Sequence, residues 1–124
     1  MTQEHKELLL KDLCARLPYG VIVVTPKGRG YVCDINLTIF DYELGVNIDP
    51  IIRDTFSIND VKPYLLPMSS MTEEEKLMYE GLMIGTDNIP YMLDVIDWLN
   101  SHHFDYRGLI EKGLAIDATE LNIY

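Results

Sequence analysis

Between Thr38 and Ile48 the chain alternates more cleanly than anywhere else. Phe40, Tyr42, Leu44, Val46 and Ile48 share one parity, and Asp41, Glu43, Gly45 and Asn47 share the other. A period of two puts one set on a buried face and the other toward water, so this stretch predicts a half-exposed antiparallel strand. Eleven residues is long for one strand, and Gly45 predicts a bulge or turn along it. Beyond neighbouring strand-like runs, the apolar period on both sides becomes that of a helix. A sheet must therefore be reconciled with flanking helices, which predicts an α+β fold.

Upstream, residues 3–17 predict an amphipathic helix. Thr2 suits its N-cap, Glu4 its first turn, and Leu10, Leu13, Cys14 and Leu17 make one apolar stripe that Pro18 ends. Val21–Val24 is a β-branched run, apolar on both faces and hence central or covered. Pro26 to Gly30 is turn chemistry. Its Gly-x-Gly lacks the third glycine and the following helix of a phosphate loop, so a hairpin is the better reading. Tyr31 to Ile35 predicts a second strand with Tyr31, Cys33 and Ile35 on one face. Asp49-Pro50 predicts a loop, and Phe56–Ile58 a short fourth strand. The result is an antiparallel meander of three to four strands that can curl into a small SH3-like barrel.

Downstream, residues 59–66 predict a single helical or 3₁₀ turn capped by Ser57 or Asn59. Thr72 and Glu75 have capping-box spacing, and the helix they open should run to about Ile84, with Leu77, Met78 and Leu82 apolar and Gly85 as its stop. Asp87-Asn88 predicts the cap of the next helix, with Pro90 in its first turn. Met92, Val95, Ile96 and Leu99 form its core stripe, flanked by Tyr91 and Trp98. Asp105 predicts the N-cap of a short helix over 106–112. Gly113 then suits a Schellman ending that brings Leu114 back onto Leu109. The tail after Ala115 is acidic and apolar, and its sequence is compatible with docking or fraying. Asn88 to Ala115 is the densest apolar and aromatic region, so the core is expected to form on it. The chain reads as one domain, 1–124, with a helix-plus-meander module over 1–66 and a helical module over 67–124.

Composition narrows the function. The 124 residues carry 20 acidic and 10 basic side chains, a net charge of −10, spread without an acidic tail or basic arm. Such a surface repels phosphate, so direct nucleic-acid binding is not expected. An acidic mimic that occupies a nucleic-acid-binding partner is one use of this charge, and a solvated surface is the commoner one. Two cysteines, Cys14 and Cys33, form no CxxC pair and read as buried thiols of a reducing compartment. No apolar run is long enough to span a bilayer, and MTQEHKE does not resemble a signal peptide. A cytoplasmic protein without a membrane partner is expected.

Three stretches, Asp12–Val21 (DLCARLPYGV), Ile58–Lys76 (INDVKPYLLPMSSMTEEEK) and Asp97–Ala115 (DWLNSHHFDYRGLIEKGLA), carry a resemblance. In this order they resemble a family of small proteins, without an assigned activity, that recurs in Bacteroides-type gut bacteria and in their phages and mobile elements. The resemblance implies a bacterial or phage-encoded protein and brings no catalytic residues.

The strongest chemical constellation is His102, His103 and Asp105, with Tyr106 and Arg107 beside them. Imidazoles and a carboxylate can hold zinc or move protons, which would suit a metal-assisted hydrolase. Adjacent histidines point apart, however, and no His-x₃-His spacing or third ligand accompanies them. A helix-end role for the histidines and a capping role for Asp105 explain the same residues. No nucleophile elbow or cofactor motif is present, and no cofactor is expected. Eight tyrosines in 124 residues suggest contact surface instead. A non-enzymatic interaction or adaptor module is therefore the favoured reading, binding a protein partner or a second copy as a homodimer. Its contact patch is expected at Trp98, His103, Phe104 and Tyr106.

Overall fold

The structure is a computed structural model, and it describes residues 1–39, 41–49, 52–84 and 89–124. Helix α1 (Gln3–Arg16) starts as its sequence predicts, with the Thr2 hydroxyl accepting from the His5 amide at 3.1 Å. Its buried face differs from the expected stripe. Leu9, Asp12, Leu13 and Arg16 are buried, Leu10 and Leu17 are partly buried, and Cys14 is exposed. The helix has turned so that a carboxylate and a guanidinium one turn apart enter the core together. A reading of apolar periodicity alone would place both outside.

Strands β1 (Ile22–Thr25), β2 (Gly28–Leu37), β3 (Tyr42–Asp49) and β4 (Ile52–Ser57) form the antiparallel meander. The β1–β2 turn is closed by Thr25, whose hydroxyl donates to the Gly28 carbonyl at 2.7 Å and accepts from the Lys27 amide at 3.1 Å. The bulge lies opposite Gly45, on the partner strand. Val32 pairs with Val46 and Asp34 with Gly45, leaving Cys33 as the extra residue. One extra residue reverses the facing of the β2 side chains beyond it. Val32 is buried and Ile35 packs on the same core, while Tyr31 and Cys33 are exposed, so the shared face expected of Tyr31, Cys33 and Ile35 does not occur. Both thiols expected to be buried are thus exposed. On β3, Leu44 and Val46 are fully buried and Tyr42 and Ile48 pack beside them, as alternation requires. Phe40, Pro50 and Ile51 lie outside the described residues.

After β4, Ser57 caps a 3₁₀ turn over Ile58–Asp60, as expected. The segment beyond it departs from the helical reading. Lys62–Pro67 is strand β5, antiparallel to β1 through Val23 opposite Pro63. Proline normally argues against a strand, but Pro63 stands second in β5, where losing one donor costs the ladder little. β5 then pairs in parallel with two short strands, β6 (Phe104–Asp105) and β7 (Ile116–Asp117). The order is β4-β3-β2-β1-β5-β6, with β7 also on β5. The fifth strand returns to the first, as a small SH3-like barrel requires. Pairing among the described residues leaves β4 and β6 at the ends of an open path.

The larger core lies between this sheet and α1. Leu9 and Leu13 meet Val21, Val23, Val32, Leu44, Val46, Ile58 and Leu65, with Leu109 and Leu114 completing it. The segment 88–115 is therefore not the seat of the main core. It contributes Val95, Leu99 and Phe104 to a smaller cluster with Met71. Helices α2 (Glu73–Met83) and α3 (Ile89–Ser101) cover that cluster. Both halves of the Thr72–Glu75 capping box are made, at 3.1 and 2.9 Å. Pro90 falls in the first turn of α3. Gly85, Asp87 and Asn88, and the side chains of Tyr91 and Met92, lie outside the described residues.

No α-helix forms over 106–112. The Asp105 carboxylate accepts from the Leu109 and Ile110 amides, both at 2.9 Å, the donors a helix would send to the Asp105 and Tyr106 carbonyls. Gly108 in the left-handed region, at φ 73°, turns the chain again. The expected ending survives without its helix. Leu114 N–H donates to Leu109 O at 2.9 Å and Gly113 N–H to Ile110 O at 3.1 Å, the two bonds of a Schellman motif. The tail docks: Ala118 is buried, and the Tyr124 hydroxyl accepts from the Ile22 amide at 2.9 Å and donates to the Tyr64 carbonyl at 2.7 Å. Burial pushes that phenol up to about 12.

Candidate interaction surface

The residues singled out for chemistry are each engaged elsewhere. His102 Nδ1 lies 2.9 Å from the Trp98 carbonyl and 3.1 Å from the Ser101 hydroxyl, and its ring stacks on Trp98 at 4.4 Å. His103 has left-handed backbone, φ 63°, which sends its ring the other way, onto Tyr124 at 3.6 Å and 11°. Burial, reinforced by the Arg16 charge and then by His102, lowers the His103 pKa to about 4. Both Asp105 oxygens are taken by amides. Among the described residues, no three His, Cys, Asp or Glu side chains come together to hold a metal ion.

The expected contact patch also divides. Phe104 is 1% exposed and is part of the interior. Trp98 and Tyr106 pack half-buried against the same small cluster, whereas His103 belongs with the tail. The Tyr106 hydroxyl donates to Asn100 Oδ1 at 3.0 Å, and the Arg107 guanidinium stands 4.6 Å from its ring centre. These side chains join α3 to the loop after it. Phe104 does not belong to any surface they leave.

Beneath them lies a charged node that apolar patterning did not reveal. Arg16 donates through Nε to Asp12 at 2.8 Å and through Nη2 to the Phe104 carbonyl at 2.6 Å. Arg107 reaches the other Asp12 oxygen at 3.0 Å. Arg16 and Asp12 are fully buried. The node ties α1 to β6 and the loop after it, and its role is architectural.

The surface left over is on α2. Its inner face is Glu75, Tyr79 and Leu82, at i, i+4 and i+7, with Tyr79 and Leu82 packed on the small cluster. Half a turn away, Leu77, Gly81 and Ile84 repeat the same spacing and point outward. Leu77 is 70% exposed and Ile84 84% exposed, and a Cβ placed on Gly81 would meet nothing within 4 Å. Helical geometry puts Glu73 and Glu80 along one flank of this stripe and Glu74 along the other. Met78 and Met83 are exposed nearer the inner face. On α3, Val95 and Leu99 are buried as expected, but Ile96 is exposed, together with Leu93, Asp94 and Asp97. The core role expected of Ile96 is thus reversed, and of the apolar positions read on α2, Leu77 and Met78 face water while Leu82 packs inward. The signal that could have shown this is that α2 is apolar on two opposite sides, and a helix over a single small cluster can bury only one.

No protein-family model, curated protein or solved structure matches this chain. No described helix is long and apolar enough to cross a membrane.

Proposed function

We propose that this chain is a non-enzymatic protein-interaction module whose contact surface is the outer face of α2, with the exposed residues of α3 beside it. The observation that carries the reading is that α2 buries none of its residues and leaves Leu77, and Ile84 at its C-cap, in water. Isolated helices of this length are marginal, and packing supplies most of a helix's stability. An eleven-residue helix that leaves its second apolar stripe uncovered is best explained by a surface kept for contact.

The test is photo-crosslinking from position 77 in cells that produce the protein. A discrete protein adduct from position 77, absent when the crosslinker stands at exposed Arg29 on β2, is the expected result. No adduct from position 77, with helicity retained, refutes the reading.

A further inference from the structure

We propose that the ligand of this face is a basic amphipathic helix. The inference rests on the interaction reading above and names the partner class of the same surface. Three observations converge on it.

The first is charge. Among the described residues of α2 and α3 there are six acidic side chains, Glu73, Glu74, Glu75, Glu80, Asp94 and Asp97, against Lys76 alone. Glu75 is occupied by the Thr72 amide, and Lys76 stands 3.6 Å from Glu73. A second copy would set this acidic surface against itself. An uncharged apolar helix would strip water from carboxylates and return nothing. Lysines and arginines on either side of an apolar stripe answer the carboxylates on either side of Leu77, Gly81 and Ile84.

The second is shape. Leu77 to Ile84 spans about 10 Å, roughly two helical turns, which matches apolar anchors at i, i+3 or i+4, and i+7 of a docked helix. Gly81 lies at the centre of the stripe. Glycine weakens a helix interior relative to alanine, and no described residue comes close enough to require it here. A helix crossing at Gly81 could approach the α2 backbone closely, between the side chains of Leu77 and Ile84.

The third is adaptability. Met78, 55% exposed beside Glu74 at the edge of the stripe, is an unbranched thioether that repacks around apolar side chains of differing shape, so the surface suits a class of helices.

The probe is an 18-residue leucine–lysine peptide patterned as an amphipathic helix. A scrambled peptide of identical composition and a leucine–glutamate peptide serve as controls. Binding is followed by fluorescence anisotropy and by amide shifts of the full chain. The patterned peptide is expected to bind at least tenfold more tightly than either control, with shifts centred on residues 76–84 and 93–97. The double substitution Leu77→Glu and Ile84→Glu should abolish this with the circular dichroism unchanged. Glu74→Lys with Glu80→Lys should weaken it several-fold while leaving the apolar stripe intact. Equal binding of the scrambled peptide, or shifts centred elsewhere, overturns the proposal. If the patterned peptide fails but the chain self-associates in light scattering, and Leu77→Glu with Ile84→Glu abolishes that, the partner class is wrong and the contact face stands. If neither association occurs, the basic-helix proposal falls, and the crosslink from position 77 alone decides whether the contact face stands.

Discussion

Removing the Asp12 carboxylate should be among the most damaging single changes this fold can suffer. Asp12 and Arg16 have no solvent exposure, and the carboxylate bonds Arg16 at 2.8 Å and Arg107 at 3.0 Å. Asp12→Ala therefore leaves two guanidinium groups near one another without a counter-charge, one of them wholly buried. Orphaning a buried charge in this way costs about 3–5 kcal/mol, a large share of the ~5–15 kcal/mol that holds a typical domain together. Alanine favours helices, so the loss cannot be ascribed to α1 propensity. Replacing Asp12 together with its fully buried partner, as Asp12→Leu with Arg16→Met, removes the fully buried orphan and should recover to within about 1–2 kcal/mol of the wild type, the remainder reflecting the donor lost by the Phe104 carbonyl and the carboxylate lost by the less buried Arg107. Urea unfolding followed by the fluorescence of Trp98, the only tryptophan, gives these values directly. A loss below about 1 kcal/mol for Asp12→Ala, or a double variant worse than the summed single ones, would refute the account of the node.

Thr72→Ala removes one half of the capping box and should destabilise α2 by about 1 kcal/mol. Because the helix is so little buried, the effect should appear as faster hydrogen exchange confined to its first turns. Gly30→Ala places a Cβ 2.7 Å from the Asn47 carbonyl oxygen, which is backbone and cannot yield cheaply, so a loss of about 1–3 kcal/mol in urea is expected. His103 predicts acid sensitivity. Its folded pKa of about 4 lies below the ordinary 6.5, so the unfolded chain binds the proton more readily. Its contribution is fully present above pH 6.5 and is lost as pH falls through 4. At 1.36 kcal/mol per pH unit the ceiling is about 3 kcal/mol, and partial solvent screening brings the expected loss to roughly 1–2 kcal/mol. His103→Asn tolerates the left-handed backbone and should flatten the wild-type slope between pH 6.5 and 4. An unchanged slope would refute the assignment to His103.

What is legible in the sequence is local. Thr2, Thr72 with Glu75, Ser57 and Gly113 act where their chemistry predicts, because a cap is decided within a few residues of itself. The meander is legible for the same reason: alternation in β3 and the turn after Thr25 are short-range signals. What escapes depends on distant partners. β5 is a strand because β1 lies beside it, and its Pro63 is harmless only because of where it stands in the pairing. Gly45 marks the site of the bulge, but the partner strand supplies the extra residue, Cys33. Asp12 and Arg16 look like surface residues until the Phe104 carbonyl and Arg107 arrive from some 90 positions away.

The same distinction explains why the candidate site moves. Aromatic and histidine density points to 98–106, yet aromatic rings are what a small cluster most readily absorbs, and Phe104 goes inside. Density measures how much apolar area a segment carries and says nothing of how much is left uncovered. The discriminating quantity is supply against demand on one helix. α2 carries Tyr79 and Leu82 for the cluster it covers and a second set, Leu77 and Ile84, with the same spacing half a turn away and left exposed by every described residue. Two stripes on a helix that packs on one small cluster leave a surplus that folding does not consume. Its acidic flanks limit what can consume it from outside. That surplus, and not the histidine pair, is the feature a mutational scan of this protein should reach first.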